Sequence, residues 1–380
     1  MAKGAYIGVN NVARKIKKGY IGVNGLARRI KKAYIGVGGV ARPCWSSGEL
    51  EYYGPITPLS KKRYGLAATS VGDIAIFGGG YTGEVGTQHK NGDVYDKSLN
   101  KVQVDTSNFP SSYYLAATTV GDYAFFGGGT NHYSTNEYTV SRVFHIYDSL
   151  ATLVKTFNSS LIGTNLAATT VGDYAFFGGG KSITTPSSST TAYNSSGAHY
   201  ASHSLSVARS HLAATTVGDY ALFAGGLQDD GTRSGVVDVF SSSLTRYNTL
   251  ALTRGVYCQA ATTLGNYALF AGGEDGTNKS RYVYCYSSSL TMLVGYLTKA
   301  RYNLAATTVG EYAVFAGGFG TNGYSDTADG LYGEYLTQAS FKSLSVARYE
   351  LAATTVGNYA LFGGGQNSAY SDAVDVYTVY

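Results

Sequence analysis

From residue 66 the chain runs seven times through one pattern of apolar and polar positions. In the first copy the small, alternating stretch Leu66-Ala67-Ala68-Thr69-Ser70-Val71 leads into Gly72-Asp73, then into the apolar run Ile74-Ala75-Ile76-Phe77, which glycines stop. Further copies begin at Leu115, Leu166, Leu212, Gln259, Leu304 and Leu351, at intervals of 45 to 51 residues. Short extended runs separated by Gly-Asp or a similar pair read as two strands joined by a tight hairpin turn. Self-similarity at a period of about 40–50 residues indicates a propeller or a solenoid, whose units bury a core only against their neighbours.

The first 45 residues carry a shorter period of 14. Tyr6-Ile7-Gly8-Val9-Asn10-Asn11-Val12-Ala13-Arg14-Lys15 recurs from Tyr20 and, in part, from Tyr34. Asn10-Asn11, Asn24-Gly25 and Gly38-Gly39 suit the positive φ of a type I′ turn. The alternation puts Ala5, Ile7 and Val9 on one face, followed after the turn by Val12, Arg14 and Ile16, so three small hairpins in a meander are expected. A short amphipathic helix over Val12–Lys18 is the alternative, although so short a run is not stable alone. Pro43-Cys44-Trp45-Ser46-Ser47-Gly48 breaks the pattern and reads as a linker, with Trp45 in a packing role. The expected division is an arm over 1–45, a linker over 46–49 and a repeat domain over 50–380.

Charge sharpens that division. The net charge is +5, yet the arm holds ten Lys/Arg and no acid, leaving 19 basic against 24 acidic residues in the remainder. A basic head on a mildly acidic body is two modules. The arm lacks a reading helix or a stacking platform, so specific nucleic-acid binding is not expected. Lys15, Lys17, Lys18, Arg28, Arg29, Lys31, Lys32 and Arg42 are instead the expected anchoring residues. Such small hairpins order against a partner or in an oligomer. High Gly (50) and Tyr (35) with little Pro (5) suit many short strands and tight turns. No apolar stretch approaches 18 residues, so no membrane span is expected. The start lacks an apolar signal core, so signal-directed export is not expected either. Cys44, Cys258 and Cys285 are too scattered for a disulfide framework; Cys258 and Cys285 read as free buried thiols, with a bridge across neighbouring strands as the alternative.

Two resemblances follow from these residues. Ala33-Tyr34-Ile35-Gly36-Val37-Gly38-Gly39-Val40-Ala41-Arg42-Pro43, preceded by Ala-Arg-Arg-Ile-Lys-Lys, resembles short repeats of tail and other virion proteins of Firmicutes phages and prophages, which implies a virion context. From Leu50 onward the units resemble kelch motifs. The basic residue before the first strand matches at Arg63, Arg209, Arg254, Arg301 and Arg348. The double glycine matches at Gly78-Gly79, Gly127-Gly128, Gly178-Gly179, Gly225-Gly226, Gly272-Gly273, Gly317-Gly318 and Gly363-Gly364. The third-strand aromatic matches at Tyr95, Tyr147, Tyr193, Phe240, Tyr286, Tyr332 or Tyr335, and Tyr377. The tryptophan usual on the fourth strand is replaced by Leu or Tyr, as at Leu244 and Tyr247. The resemblance implies an all-β, seven-bladed kelch-like β-propeller carrying a small hairpin arm. Because the last unit stops after its third strand, Leu50–Tyr53 is expected to complete its blade, which removes exposed sheet edges.

Function is expected where the units differ. The Gly-Asp turns and the Ser-Ser-Leu-Thr turns are nearly constant and belong to one face of such a fold. The longer loops belong to the other and vary in length and content, which is how a rigid frame carries recognition. They offer Tyr81, His132, Tyr133, Asp229, Asp230, Glu274, Asp275, Phe319, Tyr324, Gln366, Asn367 and Tyr370, aromatics beside polar groups as sugar and protein interfaces use. Asp73, Asp122, Asp173, Asp219, Asn266, Glu311 and Asn358 follow glycine in the constant turns, and turn preference accounts for them. The six histidines lack paired ligand spacing, and no Gly-x-Ser-x-Gly elbow or phosphate loop is present. The expectation is a non-enzymatic virion protein without cofactor or metal, an oligomer within the particle. Its arm would meet other tail proteins and its propeller a host-surface glycan or protein. A decoration protein that binds no receptor is the rival within that class, and a polysaccharide depolymerase or glycosidase working through two carboxylates is the rival outside it.

Overall fold

The structure is a computed structural model. It describes residues 6–379 apart from 10–11, 16–18, 24–25, 31, 38–39, 47–48, 84–89, 135–136 and 162, with side chains described from residue 49 onward, those of 133–137 excepted. The chain is all-β and propeller-like. Each repeat folds into an antiparallel four-stranded sheet, and the described residues contain seven of them. In the first, Ala67–Val71, Ile74–Gly78, Gly92–Asp96 and Lys101–Val102 lie side by side in that order. In the seventh, Ala352–Val356, Tyr359–Gly363 and Val374–Val379 are joined by Leu50–Pro55, with Leu50 opposite Val379 and Tyr52 opposite Tyr377. Among the described residues no helix is long and apolar enough to cross a membrane.

The repeated phrase supplies both the innermost strands and the contacts between sheets. Each first strand packs on those of its neighbours, with Ala352–Val356 against Ala67–Val71 among them. Small residues permit that approach, and threonine hydroxyls lace it together. Thr119 donates to the Ser70 carbonyl (2.7 Å) and its hydroxyl pairs with that of Thr69 (2.8 Å). The same two bonds recur through Thr170, Thr216, Thr263, Thr308 and Thr355. Third-strand tyrosines reach back to the segment that leads out of another sheet, as Tyr147 does to the Asn108 carbonyl (2.7 Å) and Tyr95 to the Thr57 carbonyl (2.8 Å).

The structure corrects details of the repeat pattern read from the sequence. The buried guanidiniums of Arg63, Arg209, Arg301 and Arg348 pair with Asp93, Asp238, Asp329 and Asp375 on the third strand of the same sheet, at 2.5–2.8 Å. Arg254 is not their equivalent. It lies two residues early, is exposed and meets Asp275 (3.3 Å), while Val256 takes the arginine's place and Tyr284 the aspartate's. Carbon replaces charge at both partners together, because one buried charge without the other is costly. In the sixth sheet the buried third-strand position belongs to Leu331, opposite Ala313, and Tyr332 and Tyr335 are exposed. The equivalent glycine pairs are Gly79-Gly80, Gly128-Gly129, Gly179-Gly180 and Gly364-Gly365 in units one, two, three and seven. Both members have positive φ there, and a Cβ on Gly79 would stand 2.4 Å from the Ser112 carbonyl oxygen. Leu244 lies in the turn before the fourth strand, at φ 62°, and Tyr247 is exposed.

Within the first 46 residues, three two-stranded antiparallel ribbons share one register: Tyr6–Val9 with Val12–Lys15, Gly19–Val23 with Leu26–Ile30, and Lys32–Val37 with Val40–Ser46. Ile7, Ile21 and Ile35 stand opposite Arg14, Arg28 and Arg42. Among the described residues no strand pairing links one ribbon to the next, so they do not form a continuous meander. Pro43 does not end the third ribbon. The strand runs through it to Ser46, with a bulge between Ala33 and Tyr34, and a proline is tolerated in such an edge strand. Of the expected anchoring residues, Lys15, Arg28, Arg29, Lys32 and Arg42 lie in these strands; Lys17, Lys18 and Lys31 fall outside the described residues.

Candidate binding face

The long loops lie at one end of the sheets and the constant turns at the other. The segment entering each first strand bridges to the residue after the double glycine: Tyr64 to Tyr81, Tyr113 to Thr130, Thr164 to Lys181, Ser210 to Leu227, Tyr257 to Glu274, Tyr302 to Phe319 and Tyr349 to Gln366. Just after the first residue of each of these pairs comes a residue with left-handed backbone: Gly65, Tyr114, Asn165, His211, Cys258, Asn303 and Glu350, at φ between 51° and 63°. Their main chains form a cycle. Tyr114 N–H donates to the Gly65 carbonyl, Asn165 to Tyr114, His211 to Asn165, Cys258 to His211, Asn303 to Cys258, Glu350 to Asn303 and Gly65 to Glu350, at 2.7–3.1 Å. This collar lines a basin of about 570 Å³ together with Lys181, Tyr257, Gln259, Tyr302 and the six repeated leucines that follow the collar positions.

Glu350 is the carboxylate of that basin. Its Oε1 accepts from Tyr114 (3.0 Å) and Asn303 Nδ2 (3.2 Å), and its Oε2 from Gln366 Nε2 (2.5 Å). Burial raises its pKa, and the bonds from Gln366 and Tyr114 oppose that rise. Burial and the nearby Lys181 lower His211 to about 4, so its imidazole is neutral at pH 7. Burial raises the Cys258 thiol and keeps it protonated. Cys258 and Cys285 are both free; Cys285 is buried on a third strand, and Cys258 faces the basin.

Around the basin the expected loop residues separate into groups. Tyr81, His132 and Tyr370 are brought together with Tyr64, Tyr113 and Tyr114 in one aromatic cluster, with centroids 5.0–6.3 Å apart. Phe319 and Tyr324 join Tyr302 and Tyr349 in a second, with the Lys279 ammonium 4.7 Å from the Phe319 ring centre. Gln366 is occupied on Glu350. Asp230 and Asp275 line a separate groove with Arg233 and Arg254, where each carboxylate accepts backbone N–H groups of its own turn. Asn367 closes a turn by accepting from Ala369 N–H (2.9 Å). Asp229 is exposed, Glu274 bridges Tyr257 and Lys279 through its backbone, and the Tyr133 side chain lies outside the described residues. Among the described residues no group of three or more His, Cys, Asp or Glu is placed to hold a metal ion.

The collar is what sequence reading passes over. Its signal is the residue immediately before each repeated Leu66-like position, a column that differs in almost every unit beside columns that hardly change.

No family model and no curated protein sequence matches this chain. Among solved structures it is similar to one described as the structure of YjhT, at 14% identity and a TM-score of 0.59, covering 76% of this chain and 99% of that one. At that identity the likeness speaks to the fold alone.

Proposed function

We propose that the chain is a closed, seven-bladed kelch-like propeller carried on a basic hairpin arm, and that it is a non-enzymatic, virion- or tail-associated phage protein. The arm anchors it to other particle proteins, and the loop face binds a host-surface glycan. The observation that carries the binding reading is the pairing of two part-exposed aromatic clusters with a polar basin on one face. Flat rings with convergent hydrogen-bonding groups suit sugars. The basin's lining holds one carboxylate, Glu350, which favours binding over hydrolysis by a carboxylate pair. The cyclic hydrogen bonding of the collar and the Tyr95–Thr57 bond between the first sheet and the segment leaving the seventh support ring closure.

Where the arm joins supports the same reading. Leu50 stands opposite Val379, whose N–H bonds to the Asn358 carbonyl in a constant turn. The chain therefore enters the seventh sheet at the end opposite the variable loops, as an anchor behind the binding face would require. The test is saturable binding of the protein to intact Gram-positive cells and to their extracted wall polysaccharide. Tyr81→Ala with Tyr370→Ala is expected to weaken binding at least tenfold. Assembly onto particles without any cell binding by the unaltered protein would leave a decoration role in its place.

A further inference from the structure

Six of the seven collar positions carry a side chain where the backbone favours glycine. Left-handed φ strains an ordinary residue, and the first unit takes the unstrained choice, Gly65 at φ 63°. Tyr114, Asn165, His211, Cys258, Asn303 and Glu350 hold the same conformation with side chains lining the basin. Asparagine and histidine tolerate it; tyrosine, cysteine and glutamate do so less readily. The backbone cycle does not need those side chains, since Gly65 completes it without one. Leu99, Ala151, Leu244, Leu290 and Leu336 hold a similar backbone in the constant turns; what sets the collar apart is that its side chains converge on one basin.

Resting on the reading that this face binds glycans, we infer that the basin captures the terminal residue of a neutral, hydroxyl-rich sugar chain, with Glu350 as its central acceptor. A carboxylate already held by Tyr114, Asn303 and Gln366 is preorganised to accept from sugar hydroxyls. Neutral His211 and the amide of Asn165 supply groups that donate or accept, Lys181 donates from across the basin, and Tyr257 and Tyr302 offer ring faces at the rim. A phosphate or other strong anion would face Glu350 and meet one cation, Lys181, with His211 uncharged, so the charge pattern gives it no advantage over a neutral sugar. The volume of about 570 Å³ is in the range of small-ligand sites. Collar residues surround it on every side, which admits a chain end and not a chain interior.

The experiment uses the full chain and fluorescently labelled wall polysaccharide from cells that bind it, with single neutral monosaccharides as competitors. At least one monosaccharide at millimolar concentration is expected to displace the polysaccharide, and Glu350→Gln, which keeps the shape, to weaken binding at least tenfold. Asn165→Ala, which breaks no bond seen in the fold, is expected to weaken it severalfold. Retained binding in Glu350→Gln and Asn165→Ala with no competition by any monosaccharide, while Tyr81→Ala with Tyr370→Ala abolishes it, would overturn the basin and leave the binding face standing. No binding by the unaltered protein would remove both.

Discussion

Replacing Asp375 by alanine tests the energetics of the sheets most sharply. Its carboxylate accepts from Arg348 Nη1 (2.8 Å), from the Ser345 N–H (3.0 Å) and hydroxyl (3.0 Å), and from Tyr52 Oη (2.5 Å) on the strand that completes the seventh sheet. Arg348 has no exposed surface. Its removal strands a buried guanidinium, an error that costs about 3–5 kcal/mol. At roughly 2–4 °C per kcal/mol for a large domain, the melting temperature is expected to fall by at least about 6 °C. The fifth sheet provides the control, because Val256 and Tyr284 occupy the equivalent places without charge. Arg348→Val with Asp375→Tyr copies that solution and is expected to recover at least half of the loss. Thermal and urea unfolding followed by circular dichroism measure both variants. If the double variant is no more stable than Asp375→Ala, the penalty does not come from the unpaired charge, and the reasoning fails.

Other consequences are as direct. Burial lowers His145 to about 4, as it does His211. The unfolded chain binds more protons between pH 6.5 and 4, so their contribution is complete above pH 6.5 and is lost as pH falls towards 4; His145→Phe is expected to flatten that part of a melting-temperature profile, and an unchanged slope would contradict it. Thr216→Val removes the bond to the Thr170 carbonyl and the one to the Thr169 hydroxyl, with an expected loss of about 1–2 kcal/mol in urea unfolding. Gly330→Ala puts a Cβ 1.9 Å from the Ala313 carbonyl oxygen, so the sixth sheet cannot pair as it does, and the variant is expected to be recovered largely insoluble.

What the sequence disclosed was what repeats. Seven copies of a strand-turn-strand phrase state the sheets, and Ala-Ala-Thr-Thr states strands that crowd one another. The partners of the arginines stayed hidden because Asp93, Asp238, Asp329 and Asp375 lie 27 to 30 residues further on, across loops of unequal length. Arg254 misled because a two-residue offset is invisible until Val256 is seen filling the slot. Tyr332 misled for a similar reason: period-two alternation puts neighbouring residues on opposite faces, and it is Leu331 that points inward. The loop aromatics were legible as residue types, whereas the collar depends on a left-handed backbone that brings seven distant residues into one cycle.

Binding of the full chain to intact cells, with Tyr81→Ala plus Tyr370→Ala and Glu350→Gln beside it, tests the central claim most directly. The account predicts saturable binding by the unaltered protein and at least a tenfold loss in each variant, with Glu350→Gln still folded at the assay temperature. Equal binding by all three proteins would contradict it, because the face described here would then not be what meets the cell.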